Sequence, residues 1–211
     1  MAKTFEKRAL LTGVGALFVD FLENEPERDT APEYAGAVVE TPSIETASMS
    51  LELDENLVYL SNLLHDDLSN VVSATITLDA GYLPQDFEDE AQGKVKIGGS
   101  WAMPTNPSKK PFRMAVPFTD NDGKELILNF PHCTLSPVDL SATTQGETTD
   151  VQMKSFNIVA QPLNYGEQPF VFLSMDMANE ENEAQYDRDK LLENGWYDEA
   201  SLALNEGIDG A

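Results

Sequence analysis

Apolar and polar residues trade places at every second position through much of the chain, the pattern of strands with one buried face. The clearest run is 71–80, where Val72, Ala74, Ile76, Leu78 and Ala80 alternate with Val71, Ser73, Thr75, Thr77 and Asp79. In 112–118 Met114, Val116 and Phe118 share a face, and in 125–130 Leu126, Leu128 and Phe130 do the same. Between these runs lies TDNDGKE, whose Asp and Gly residues predict a hairpin turn. Further strands are expected at 9–19, 35–40, 45–53, 151–160 and 169–175, the first with Gly13 and Gly15 at a bulge. The turn-rich QPLNYGEQP joins the last two.

Helical patterns are fewer. PQDFEDEAQG at 84–93 predicts one to two turns, with Pro84 early and Gly93 as the stop. The segment 182–207 is a second candidate, and 22–36 and 98–111 read as long loops. From 178 the strand alternation ends, and ten acids face only Arg188 and Lys190. Leu191, Leu192, Trp196 and Tyr197 give this stretch something to dock with. The expected architecture is mainly β: a β-sandwich or barrel-like body over 1–177 with one short flanking helix and long loops. An acidic C-terminal extension, partly helical or disordered, follows over 178–211.

Charge changes the picture most. Thirteen Lys and Arg against 37 Asp and Glu give a formal net charge of −24, which disfavours gripping nucleic acid through a basic patch. The acidity is uneven: fourteen acids and no Lys or Arg lie between Arg28 and Lys94, whereas 94–124 holds Lys94, Lys96, Lys109, Lys110, Arg113 and Lys124. Such segregation suits head-to-tail packing of identical subunits. A single cysteine, Cys133, excludes an intrachain disulfide. The start KTFEKRALLTGVGALFVDFLENEPE mimics a signal peptide, but Asp20 interrupts it and no A-x-A site follows, so a first strand and cytoplasmic synthesis are expected. No apolar run has the length of a membrane span, and no membrane binding is expected.

Candidate chemistry is sparse. His65, Asp66 and Asp67 are neighbours that cannot all converge on one substrate, and they read as a polar turn before the strand at 71–80. On a strand, His132 and Cys133 point to opposite faces and form no dyad. DNDGKE fails the EF-hand pattern because the position that needs a bidentate Glu, counted from Asp120, is Pro131. Phosphate-loop, dinucleotide, nucleophile-elbow and zinc-protease motifs are missing. A glycosidase using two of the many carboxylates has nothing to single out which two. The expectation is a structural or binding protein, not an enzyme, with no catalytic residue, metal or cofactor.

Three stretches carry a family resemblance: ENLVYLSNLLHDDLSNVVSATITLDAGYLPQDFEDEAQG, PFRMAVPFTDNDGKELILNFPHCTLSPVD and ATTQGETTDVQMKSFNIVAQPL, with RALLTGVGALFVDFL as an opening strand. Their order resembles the major tail tube proteins of long-tailed, siphovirus-type bacteriophages, particularly those of Gram-positive hosts. The acidic stretch from 178 lies outside the resemblance. What the resemblance implies is a β-sandwich with a flanking helix that forms hexameric rings, stacked into a hollow virion tube. Its partners would be further copies of itself and other tail proteins, with DNA as non-specific cargo. On that reading Ser73, Thr75, Thr77 and Asp79 are candidates to face the lumen. Lys109, Lys110 and Arg113 are candidates to meet an acidic loop holding Glu25, Glu27 and Asp29 on the next ring. The alternative is a baseplate or receptor- or carbohydrate-binding β-sandwich, in which Trp101, Trp196 and Tyr82 would form a sugar platform.

Overall fold

The alternating runs become one curled sheet. The computed structural model describes residues 10–55, 57–60, 63–67, 69–138 and 153–207. In chain order the strands begin with β1 (Leu11–Val14), β2 (Leu17–Phe21), β3 (Val39–Thr41), β4 (Ile44–Asp54), β5 (Leu57–Leu60), β6 (Leu63–Asp67) and β7 (Asn70–Ala80). Helix α1 (Gln85–Ala91) follows, then β8 (Val95–Ile97), β9 (Ser100–Ala102), β10 (Phe112–Asp120), β11 (Glu125–Leu135), β12 (Lys154–Ala160) and β13 (Leu173–Asp176). The chain closes with helices α2 (Glu180–Gln185), α3 (Arg188–Asn194) and α4 (Glu199–Ala203).

Nine strands form an antiparallel sheet in the order β3-β2-β10-β11-β12-β7-β4, with β1 on β10 and β13 on β11. Five strand-to-strand steps separate β1 from β4, about 24 Å on a flat sheet. Their Cα atoms nonetheless come within 8 Å. The sheet therefore bends back on itself, although among the described residues no ladder closes it into a barrel.

The concave side is the main core. Ala74, Ile76, Leu78 and Ala80 of β7 are buried there, as the alternation predicts, with Phe156 and Ile158 of β12 and Leu17 and Val19 of β2. Val72 departs from the expectation: it is 46% exposed, because the outer end of β7 runs past the packed body. Helix α1 covers one opening by stacking Phe87 against Phe21 and Phe112, with ring centroids 5.2 and 5.1 Å apart.

Several local expectations are corrected. The first strand is two, β1 and β2, broken where the Gly15 N–H bonds to the Pro117 carbonyl at 2.8 Å. Proline in a central strand is tolerated there because its missing N–H falls at the gap between β1 and β2. A Cβ on Gly15 would lie 2.8 Å from the Pro117 ring. His65, Asp66 and Asp67 lie in β6, paired with β5 as a hairpin, rather than in a turn. The expected loop at 98–111 contains β9, joined to β8 through Gly98 and Gly99. Asp120–Glu125 forms the expected hairpin turn, with Asp120 Oδ1 accepting from the N–H groups of Asp122 and Lys124.

Helix α1 falls on the expected flanking helix, and the stretch after residue 178, expected to be partly helical or disordered, holds three more helices among the described residues. Asp187 caps α3, and Asp198 with Ser201 forms a capping box on α4. These short helices depend on packing rather than propensity. Leu191, Leu192 and Trp196 bury against Ala115, Ile127 and Met175 on the convex side of β10, β11 and β13. Strand β10 is consequently covered on both faces. Leu191→Ala should cost about 2–5 kcal/mol, with a urea midpoint lower than wild type at an unchanged slope.

Candidate interaction face

The convex side of the sheet is divided in two. Its β10–β11–β13 part lies under the C-terminal helices, whereas its β4–β7–β12 part is open. Cross-strand register sets the open face: Thr46 opposite Asp79, Ser48 opposite Thr77, Ser50 opposite Thr75 and Glu52 opposite Ser73. On the other flank Ser155 faces Asp79 and Asn157 faces Thr77. Partners in a ladder share a face, so the four candidates from the alternation belong to one polar surface.

That surface is tied together by hydroxyl donors. Ser73 Oγ donates to Glu52 at 2.9 Å and Thr75 Oγ1 to the same carboxylate at 3.3 Å. Thr46 Oγ1 donates to Asp79 at 2.7 Å, and Thr77 Oγ1 to Asn157 Oδ1 at 3.0 Å. Ser73 is buried (8% exposed) beneath Glu52, so it anchors the face more than it lines it. Neither β4 nor β7 contains a Lys or Arg. Lys154 of β12 turns to the other side and reaches Glu88 of α1 at 3.5 Å. Hydroxyls hold the carboxylates in place without neutralising them, and the negative charge is left for whatever faces it.

The proposed contact residues are placed less uniformly. Arg113 is 1% exposed and so is no part of the surface. Its Nη1 donates to the Leu192 carbonyl at 3.2 Å, its Nε lies 3.9 Å from Asp20, and the Tyr34 ring is 5.7 Å from the guanidinium. Burial pulls its pKa down, while Asp20 and Tyr34 oppose that. Gly195, at φ +66°, is what lets the helices come so close, since a Cβ there would lie 3.1 Å from Arg113 Nη1 and 2.9 Å from Asn129 Oδ1. An arginine inside an apolar-alternating strand carries no sequence mark of this role. Lys110 bonds within its own chain, to Glu23 at 3.2 Å and Glu90 at 2.9 Å. Lys109 is exposed, as are Glu25, Glu27 and Asp29 of the 22–36 loop, and the Glu25 carboxylate is 3.9 Å from His132.

Chain comparisons add little to this geometry. No family model and no curated protein matches the chain. A baseplate structure is similar. It is a cryo-EM structure of the anti-feeding prophage baseplate, 6-fold symmetrised, with 10% identity and a TM-score of 0.41 over 83% of this chain and 98% of that one. Similarity of that size carries no functional inference.

Trp196 is 3% exposed within the cluster beneath the helices, so it cannot form a sugar platform with Trp101 and Tyr82. Cys133 is fully buried, and burial pushes its thiol pKa well up, away from the reactive thiolate. A cleft beside α1 is lined by Glu88, Asp89, Lys94 and Lys154, whose charges close into the pairs Lys94–Asp89 and Lys154–Glu88. No helix of the described residues is long and apolar enough to cross a membrane.

Folding does not require the open face to lack cations. Ser48→Lys and Ser50→Lys, at exposed positions between carboxylates, should change unfolding free energy by no more than about 0.5 kcal/mol. Urea denaturation of each variant checks this.

Proposed function

We propose that this chain is a structural virion protein of a long-tailed bacteriophage: a subunit, not an enzyme, that assembles into rings, six-fold by the resemblance, stacked into the tail tube. The carrying observation is the cation-free face of β4, β7 and β12 beside an unpaired edge. A wall of hydroxyls and carboxylates with no cation repels DNA and lets it pass without sticking. Other copies of the chain and other tail proteins are its partners, and DNA is cargo in the bore. Synthesis takes place in the host cytoplasm.

The edge supports subunit joining. Strand β4 is eleven residues long, and among the described residues no strand pairs with its outer side. Long open edges are templates for pairing with another chain. Toward its end the core-side face of the ribbon is apolar and open, with Met49 39%, Leu51 44% and Leu53 54% exposed beside Val71 and Val72. An apolar stripe of this kind on an acidic protein is a surface that assembly would cover.

Negative-stain electron microscopy over a range of protein concentrations tests the reading. Rings or tubes with a central hole are expected; a compact assembly without a hole would favour the baseplate or receptor-binding alternative. Tubes built from the Ser48→Lys, Ser50→Lys double variant should also acquire DNA binding that weakens steeply between about 50 and 200 mM salt. Wild-type tubes should show none, measured by co-sedimentation.

A further inference from the structure

Three segments far apart in sequence converge on one cleft: the 22–36 loop, the connector between β12 and β13, and the turn between α3 and α4. The cleft has a volume of about 460 Å³, within the range of small-molecule sites. Tyr165, Tyr197 and Phe170 supply its aromatic wall. Both tyrosines are half-buried, and Phe170 is 40% exposed.

These rings are held in place by the chain itself. Tyr197 meets Tyr165 edge-on, with centroids 5.5 Å apart at 87°, and lies 6.4 Å from Tyr34. Tyr34 is in turn fixed by donating to the Pro131 carbonyl at 2.9 Å, with the Arg113 guanidinium 5.7 Å from its ring. The Tyr197 N–H donates to Ser201 Oγ at 2.9 Å. The Gly166 N–H donates to the Arg28 carbonyl at 2.9 Å, which joins the connector to the loop. Fixed walls lower the ordering cost of binding.

Polar side chains around the wall are unengaged. Arg28, Asp29, Glu167 and Gln168 line the cleft, and none makes a side-chain hydrogen bond or ion pair among the described residues. Other clefts lack this combination. Beside α1 the charges close into Lys94–Asp89 and Lys154–Glu88, and beside the β10–β11 turn into Lys124–Glu183 and Arg188–Glu125. The cleft bordered by Lys109 has no aromatic ring.

The mixture of groups selects the ligand. Arg28 brings only donors, the carboxylates only acceptors, and the Gln168 amide both. A cationic peptide would offer donors alone and meet Arg28, whereas an anion would meet Asp29, Glu167 and Asp198. A neutral sugar has hydroxyls that donate and accept at once, and C–H faces for aromatic rings to cover. We propose that this cleft binds a neutral pyranose, its C–H face on Phe170 and Tyr197 and its hydroxyls shared among Arg28, Asp29, Glu167 and Gln168. No cleft residue belongs to β4, β7 or β12, so sugar binding leaves the open polar face free.

Isothermal titration calorimetry with the methyl β-glycosides of glucose, galactose and N-acetylglucosamine tests the site. At least one should bind with a Kd below about 10 mM. Asp29→Asn with Gln168→Ala, both at exposed positions, should weaken that binding at least about tenfold. Phe170→Ala should weaken it as well, and circular dichroism melts confirm that each variant is folded. Failure of all three sugars to bind, or binding that survives the double substitution, overturns the site and leaves the tube reading intact. Binding of a lysine-rich peptide or of phosphate in place of sugar overturns the choice of ligand.

Discussion

The curl of one sheet decides which residues meet water. Because the strands bend until β1 lies beside β4, the side chains of β2, β7, β10, β11 and β12 that share the inner face form a single core. The convex face is then too long to be covered by any one element. The C-terminal segment covers its β10–β11–β13 part through Leu191, Leu192 and Trp196, and the β4–β7–β12 part is polar. A strand covered on one side only is written as alternation, whereas one covered on both sides is not. Strand β7 is covered on one side and β10 on both, although Met114, Val116 and Phe118 of β10 still keep a period of two.

Arg113 ties the covered half of the sheet to the C-terminal helices. It is buried in β10 beside Asp20, which is itself held by the N–H groups of Gly36 and Ala37. Its guanidinium donates to the carbonyl of Leu192 in α3, and the Asn129 side-chain amide donates to that of Trp196. A buried charge is costly unless it is paired and hydrogen-bonded. Docking of the C-terminal segment supplies one of those bonds, through Nη1, whereas Nε and Nη2 are buried without a hydrogen-bond partner among the described residues.

Most of the sheet was legible in the sequence, because period-two alternation is a local record of which face is buried. Strands β4, β7, β10, β11, β12 and β13 fall on or within a few residues of the expected runs. What was not legible depends on distant partners. Pairing of β6 with β5 turned an expected polar turn into a strand, and the three-residue strands β8 and β9 are too short to show a period. The polar row Ser73, Thr75, Thr77 and Asp79 could be read from one strand, but its continuation onto Thr46, Ser48, Ser50, Glu52 and Asn157 needed the register. Arg113 looked like a surface cation because sequence alternation does not say when the second face of a strand is also covered. Lys110 looked free because its acidic partners lie 87 and 20 residues away.

Folding places no demand on three adjacent strands to keep their open face rich in hydroxyls and free of cations. Function does, if that face is turned toward a polyanion that must pass without binding. A cryo-EM reconstruction of the assembled protein, read for the position of Ser48, Thr75, Thr77 and Asp79, decides the matter. These side chains should line a central bore, with β4 of each subunit meeting its neighbour. An assembly that buries them in a subunit interface, or turns them to its outer surface, would contradict the tube-wall reading.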